Sequence, residues 1–122
     1  MTGEGLRRWS SVPAIAAVLF QLGVLYAPSG AGSAPFPNFD KLVHCAVFAL
    51  PVFFAVLARL PMAPVIAVLA VHAPVSEFIQ ATLLPNRSGD PWDVVADLVG
   101  VTLGAAAARF ALHRRPTAGS AT

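Results

Sequence analysis

The chain has 122 residues, of which 57% are hydrophobic and 11% charged, and its mean hydropathy is +0.71. A water-soluble domain is excluded, because so few charged residues cannot cover its surface, and a membrane protein is expected. The net charge of +2 comes from eight basic residues spread along the chain, with no basic patch interleaved with aromatics, which excludes a nucleic-acid partner.

In chain order, residues 1–8 form a polar leader to the first apolar run, Trp9–Ala27. Residues 28–39, PSGAGSAPFPNF, read as a loop. A second run covers Leu42–Ala58, a tight RLP hairpin occupies residues 59–61, and a third run covers Met62–Leu84. Residues 85–91, PNRSGDP, form a turn before the fourth run, Trp92–Leu112, and residues 113–122 form a small, polar tail. Each run approaches the roughly 20 residues that a membrane span needs. The expected fold is all-α, a four-transmembrane-helix bundle over residues 9–112 with short loops. Pro51 and Pro74 are expected to kink the second and third helices. No internal repeat or second domain is visible.

Lys and Arg placement sets orientation. With a cytoplasmic N-terminus, the inner side receives Arg7, Arg8, Arg59, Arg109, Arg114 and Arg115, and the outer side only Lys41 and Arg87. Both termini are therefore expected inside. The alternative, residues 1–34 as a cleaved signal peptide, needs an h-region shorter than this apolar run. Cys45 is the only cysteine, so an intrachain disulfide is excluded, and it reads as a core residue. Asn86-Arg87-Ser88 matches a short glycosylation sequon pressed against the expected membrane surface and is assigned no function.

The acids are concentrated. Glu77, Asp90, Asp93 and Asp97 fall within residues 77–97, and Asp40 opens the second helix with Lys41. Asp40 and His44 share a helix face at i, i+4, Glu77 and Gln80 at i, i+3, and Asp93 and Asp97 at i, i+4. The alternating helix directions bring all of them to the outer half of the membrane. An unpaired acid at a helix centre costs about 2.5–3.5 kcal/mol, so these groups are expected to face one another or a wet cavity. Five acids against Lys41 and Arg87 leave a charge surplus of −3. Carboxylate protonation, His44 protonation or a bound cation could offset it. Gly100 and Gly104 form a GxxxG step expected to pack helices within the monomer. Gln21 reads as an interhelical hydrogen-bond partner, His72 as a hydrogen-bonded packing residue, and Trp9 and Trp92 as interfacial anchors.

Together, FDKLVHCAVFAL and EFIQATLLPNRSGDPWDVVADLVGVTLG resemble the VanZ-like family of small bacterial membrane proteins. The shared pattern is Asp-Lys-x-x-His, then Glu-x-x-Gln, then an Arg and an Asp before a Gly-rich final helix. Here those positions are Asp40, Lys41, His44, Glu77, Gln80, Arg87, Asp93, Gly100 and Gly104. Where the family usually carries Asn, four residues after the final-helix Asp, this chain has Asp97. The resemblance implies a multi-pass protein of the bacterial cell envelope, with the link to teicoplanin resistance that gave the family its name.

Three functional readings follow. In the first, the outward-facing cluster binds a lipid headgroup, a lipid-linked cell-wall precursor or a glycopeptide-like ligand, with Lys41 and Arg87 on anionic groups. In the second, Asp40, His44, Glu77 and Asp93 do acid–base work or hold a divalent metal in a membrane enzyme. A lipid-phosphatase pattern is not met, since residues 88–97 contain no His. In the third, the pairs Asp40–His44, Lys41–Glu77 and Arg87–Asp93 only lock the helices. No cofactor is required by the sequence, a divalent cation at the acids being the one candidate, and membrane lipids are the expected partners.

Overall fold

A computed structural model of the chain describes residues 3–27, 35–84 and 89–114. These form four helices and no strand: α1 (Gly3–Tyr26), α2 (Phe39–Leu57), α3 (Met62–Thr82) and α4 (Pro91–Arg114). α2, α3 and α4 are long and apolar enough to cross a membrane, whereas the apolar part of α1, Ser11–Tyr26, is shorter. With 19 residues, α2 extends about 28 Å, close to the ~30 Å hydrocarbon thickness of a bilayer. The expected apolar runs fall on these helices, with α1 starting earlier, at Gly3, and α2 at Phe39.

Apolar side chains cover much of the outer surface of the bundle, while several polar ones are enclosed. Ile15, Phe20, Val68, Phe78 and Phe110 are exposed, while Gln21, His44, Ser76, Glu77, Gln80, Asp93 and Asp97 are buried. A hydrocarbon solvent favours this distribution, because apolar side chains lose nothing by facing lipid and polar ones lose their partners there. The interior apolar cluster includes Leu25, Val47, Phe48, Val52, Leu69 and Val101.

Two turns use non-glycine residues in the left-handed region. Asn38 (φ 64°) precedes α2, and its carbonyl accepts the Lys41 and Leu42 N–H groups. Asn tolerates this conformation better than most residues. Arg59 (φ 72°) follows α2. The Arg59 N–H bonds the Val56 carbonyl and the Leu60 N–H the Ala55 carbonyl, a Schellman closure that satisfies the last carbonyls of the helix before Pro61.

The parallel helices α2 and α4 make the most extensive contact in the bundle. A Cβ on Gly100 would collide with the Cys45 carbonyl, and one on Gly104 with the Ala49 carbonyl. The GxxxG step thus lies directly on the α2 backbone, within one chain, as its spacing suggested. Overpacking of this kind costs about 1–3 kcal/mol. Gly100→Ala is therefore expected to lower the thermal midpoint of the purified protein. Gly23→Ala, where nothing lies within 4 Å of the added Cβ, is expected to leave it unchanged or raise it, since Ala is the better helix former.

Pro51 and Pro74 lie inside α2 and α3, and Pro13 inside α1, and each helix continues past its proline. Proline removes the N–H that would bond the carbonyl four residues earlier, which for Pro51 is that of Val47. Gln21 Nε2 of α1 donates to the Val47 oxygen at 2.9 Å, replacing the missing donor. Gln80 Nε2 of α3 does the same for the Leu25 carbonyl in the last turn of α1, at 2.8 Å. Leaving a buried carbonyl unsatisfied costs about 1–3 kcal/mol. Gln21→Leu is expected to destabilise the protein by that amount. The loss should shrink in a Pro51→Ala background, where residue 51 regains its N–H; thermal unfolding of the double-mutant cycle measures the coupling.

Candidate functional site

The polar side chains meet where α2 and α4 begin and α3 ends. Asp90 sits before α4, with Pro91 in the first helical position. Its Oδ1 accepts the Trp92 N–H at 3.0 Å and its carbonyl the Asp93 N–H at 2.9 Å. This Asp-Pro start supplies a side-chain acceptor for one orphan donor and a residue that needs none. The Asp90 N–H in turn donates to Glu77 Oε1 of α3. Gly89 makes this approach possible, since a Cβ there would stand 2.7 Å from the Ala81 Cβ.

Lys41 is the hub of the outer layer. Its ammonium lies 2.9 Å from Asp40 Oδ2, 2.5 Å from Asp90 Oδ2 and 2.9 Å from Asp93 Oδ1. The Asp93 contact is an ion pair outside hydrogen-bond alignment, so Asp93 Oδ1 has no hydrogen-bond donor. The ammonium beside Asp90 holds its carboxyl below the usual carboxylate range. The pair's contribution is thus complete at neutral pH and is lost only as pH falls through that lowered value. Asp40, Asp90 and Asp93 each offer an oxygen within 4.8 Å of the others, a spacing a divalent cation could use. The Lys41 ammonium contacts all three, so a metal would have to displace it.

One turn deeper, His44 lies between two acids of α4. Its Nδ1 is 2.7 Å from Asp97 Oδ1 and its Nε2 3.4 Å from Asp93 Oδ2. Each ring nitrogen faces a carboxylate oxygen, so an imidazolium finds an acceptor at both N–H groups. Asp97 is fully buried, and its Oδ2, like Glu77 Oε2, has no hydrogen-bond partner. On the opposite side of α3, His72 Nε2 meets the Tyr26 hydroxyl at 2.7 Å and packs beside Phe48. It is a hydrogen-bonded packing histidine between α1 and α3, while Ser76 bonds its own helix at the Ala73 carbonyl.

The structure brings Asp40, Lys41, His44, Glu77, Asp93 and Asp97 into one cluster, with Gln80 buried on α3 at its edge. Gly100 and Gly104 lie deeper on the α2–α4 seam. Arg87, and with it the pair Arg87–Asp93, lies outside the described residues. Two expected pairings are corrected. Lys41 is ion-paired with Asp40, Asp90 and Asp93, not Glu77, because α4 runs beside α2 while Glu77 is taken by the Asp90 backbone. His44 pairs with Asp93 and Asp97, not with Asp40, which turns outward to Lys41 with 57% of its side chain exposed. Asp90, counted among the outer acids from the sequence but given no partner there, pairs with Lys41 and caps α4; an Asp-Pro step before an apolar run is a readable helix start.

No family model matches the sequence, and no curated protein or solved structure matches it either.

Asp97→Asn keeps an oxygen for His44 and removes one of the crowded charges. It is expected to change stability by less than about 1 kcal/mol, whereas Asp97→Leu, which strips one partner from a buried pair, should cost about 3 kcal/mol or more. Thermal melts of both variants in the same detergent test the difference.

Proposed function

We propose that this chain is a VanZ-like multi-pass protein of the bacterial cell membrane, with four spans and both termini on the cytoplasmic side. Its acidic site then faces outward and binds an envelope ligand: a lipid headgroup, a lipid-linked cell-wall precursor or a glycopeptide-like compound. Six inner against two outer basic residues support the orientation. The observation that carries the binding reading is the convergence at one end of the bundle of five of the chain's six acidic residues with His44. Among the described residues, Lys41 is the only lysine or arginine set against them. Intramembrane ionisable groups that keep unpaired atoms are costly, and function is the usual reason they are kept.

Lys41 does not serve as a free anion receptor in this reading. Three carboxylates already hold it, so its part is to position Asp90 and Asp93. The same ion pairs favour a second reading, in which the cluster only locks α2 to α4. A deletion strain scored against envelope-targeting antibiotics separates the two. If the site binds a ligand, Glu77→Gln expressed at the wild-type level fails to restore the parental sensitivity profile. Full restoration by Glu77→Gln, with a lowered thermal midpoint of the purified variant, supports the lock.

A further inference from the structure

Between α3 and α4 a groove of about 370 Å³ opens on the bundle surface. Glu77 and Asp90 supply its polar end, and Pro74, Phe78, Ala81 and Val94 its walls. Phe78 is 67% exposed on the outer surface of the bundle. Glu77 is only 8% exposed. One of its oxygens takes the Asp90 N–H and the other has no hydrogen-bond partner. Asp90 divides its carboxylate between the α4 cap and Lys41.

We propose that this groove binds a membrane lipid whose headgroup carries a primary ammonium, of the ethanolamine type. The ammonium lies against Glu77 and Asp90, and an acyl chain runs along Phe78, Ala81 and Val94. This rests on the reading of the acidic cluster as a ligand site and narrows its ligand. Three features select the headgroup. The cluster carries surplus negative charge, which favours a cation and repels an anionic headgroup. The polar side chains that line the groove, Glu77 and Asp90, are both carboxylates, so the ligand must donate hydrogen bonds. A primary ammonium has three N–H donors, whereas the quaternary ammonium of choline has none. The lipid nature of the ligand follows from position, because the groove's walls are apolar, lie between two membrane-spanning helices and end at the charged helix mouths.

The test uses the full chain in detergent with an equimolar mixture of ethanolamine, choline and glycerol phospholipids of matched acyl chains, read by native mass spectrometry. The ethanolamine lipid is expected to be retained about tenfold over the other two, the scale of one hydrogen bond to a charged group. Successive N-methylation of the headgroup should lower retention stepwise in the wild-type protein, with no variant needed. Glu77→Gln should abolish the preference, while Phe78→Ala should weaken all three lipids and keep their ratio. Equal retention of the three lipids, or a preference unchanged by N-methylation, overturns the assignment. Equal retention combined with failure of Glu77→Gln to complement the deletion strain keeps the ligand site and changes its ligand.

Discussion

Gly100 and Gly104 let α4 lie on the backbone of α2 at Cys45 and Ala49, and the meeting of Lys41 and His44 with the acids of α4 follows from that contact. Because the two helices run in parallel and touch about two turns below their mouths, the first turns of α4 are presented directly to the first turns of α2. Asp93 then reaches Lys41 and His44, and Asp97 reaches His44. A larger residue at either glycine would push the helices apart. The 2.7 Å contact between His44 and Asp97 would then open in a medium with no water to replace it. Small residues on the seam and acids at its top are therefore one arrangement.

The interior treats its polar groups in two ways. Gln21 and Gln80 each hand a donor to a carbonyl that its own helix cannot satisfy. These amides work as parts of the backbone, tying α1 to α2 and α3 where apolar packing against lipid supplies little drive. The carboxylates differ. Glu77 and Asp97 each use one oxygen within the fold and leave the other without a hydrogen-bond partner, while the two oxygens of Asp93 face Lys41 and His44. A protein that closes an orphan carbonyl at Pro51 with a glutamine from a neighbouring helix has the means to close a carboxylate as well. That two buried carboxylate oxygens, Glu77 Oε2 and Asp97 Oδ2, have no partner among the described residues, both at the charged end of the bundle, sets this end apart from the rest of the interior.

The sequence made the helices legible because lipid imposes a blunt rule: about twenty apolar residues, closed by proline, glycine and charge. The runs ending at Leu57 and beginning at Met62 could be read to within a few residues for that reason. The clustering of acids was also legible, since helix direction alternates and each acid lay near the same end of its run. The pairings were not. Whether Lys41 meets Glu77 or Asp93 depends on which helix lies beside α2, and spacing within a helix carries no information about that. The GxxxG step held the missing clue, for it marks the face of α4 that approaches another backbone, and Asp93 and Asp97 lie above it. Tyr26 and His72 were unreadable as a pair, because 46 residues separate them and only the docking of α1 on α3 joins them.

Charge decides what kind of partner the cluster accepts. Lys41 is a tethered cation already bound in its outer layer, between Asp40, Asp90 and Asp93. It neutralises the layer nearest water and leaves the deeper acids to His44, whose two nitrogens face Asp97 and Asp93. Even with His44 charged, the cations within the described cluster are fewer than its carboxylates. An anion approaching this end meets a lysine whose charge is spent on three acids, and behind it further carboxyl groups. A cation that donates hydrogen bonds meets the reverse, carboxylate acceptors in surroundings of low dielectric where their attraction is least screened. Glu77 stands apart from the Lys41 and His44 contacts, fixed by the Asp90 backbone at the α3–α4 groove, and so it is the acid through which such a group can enter without dismantling the α2–α4 seam.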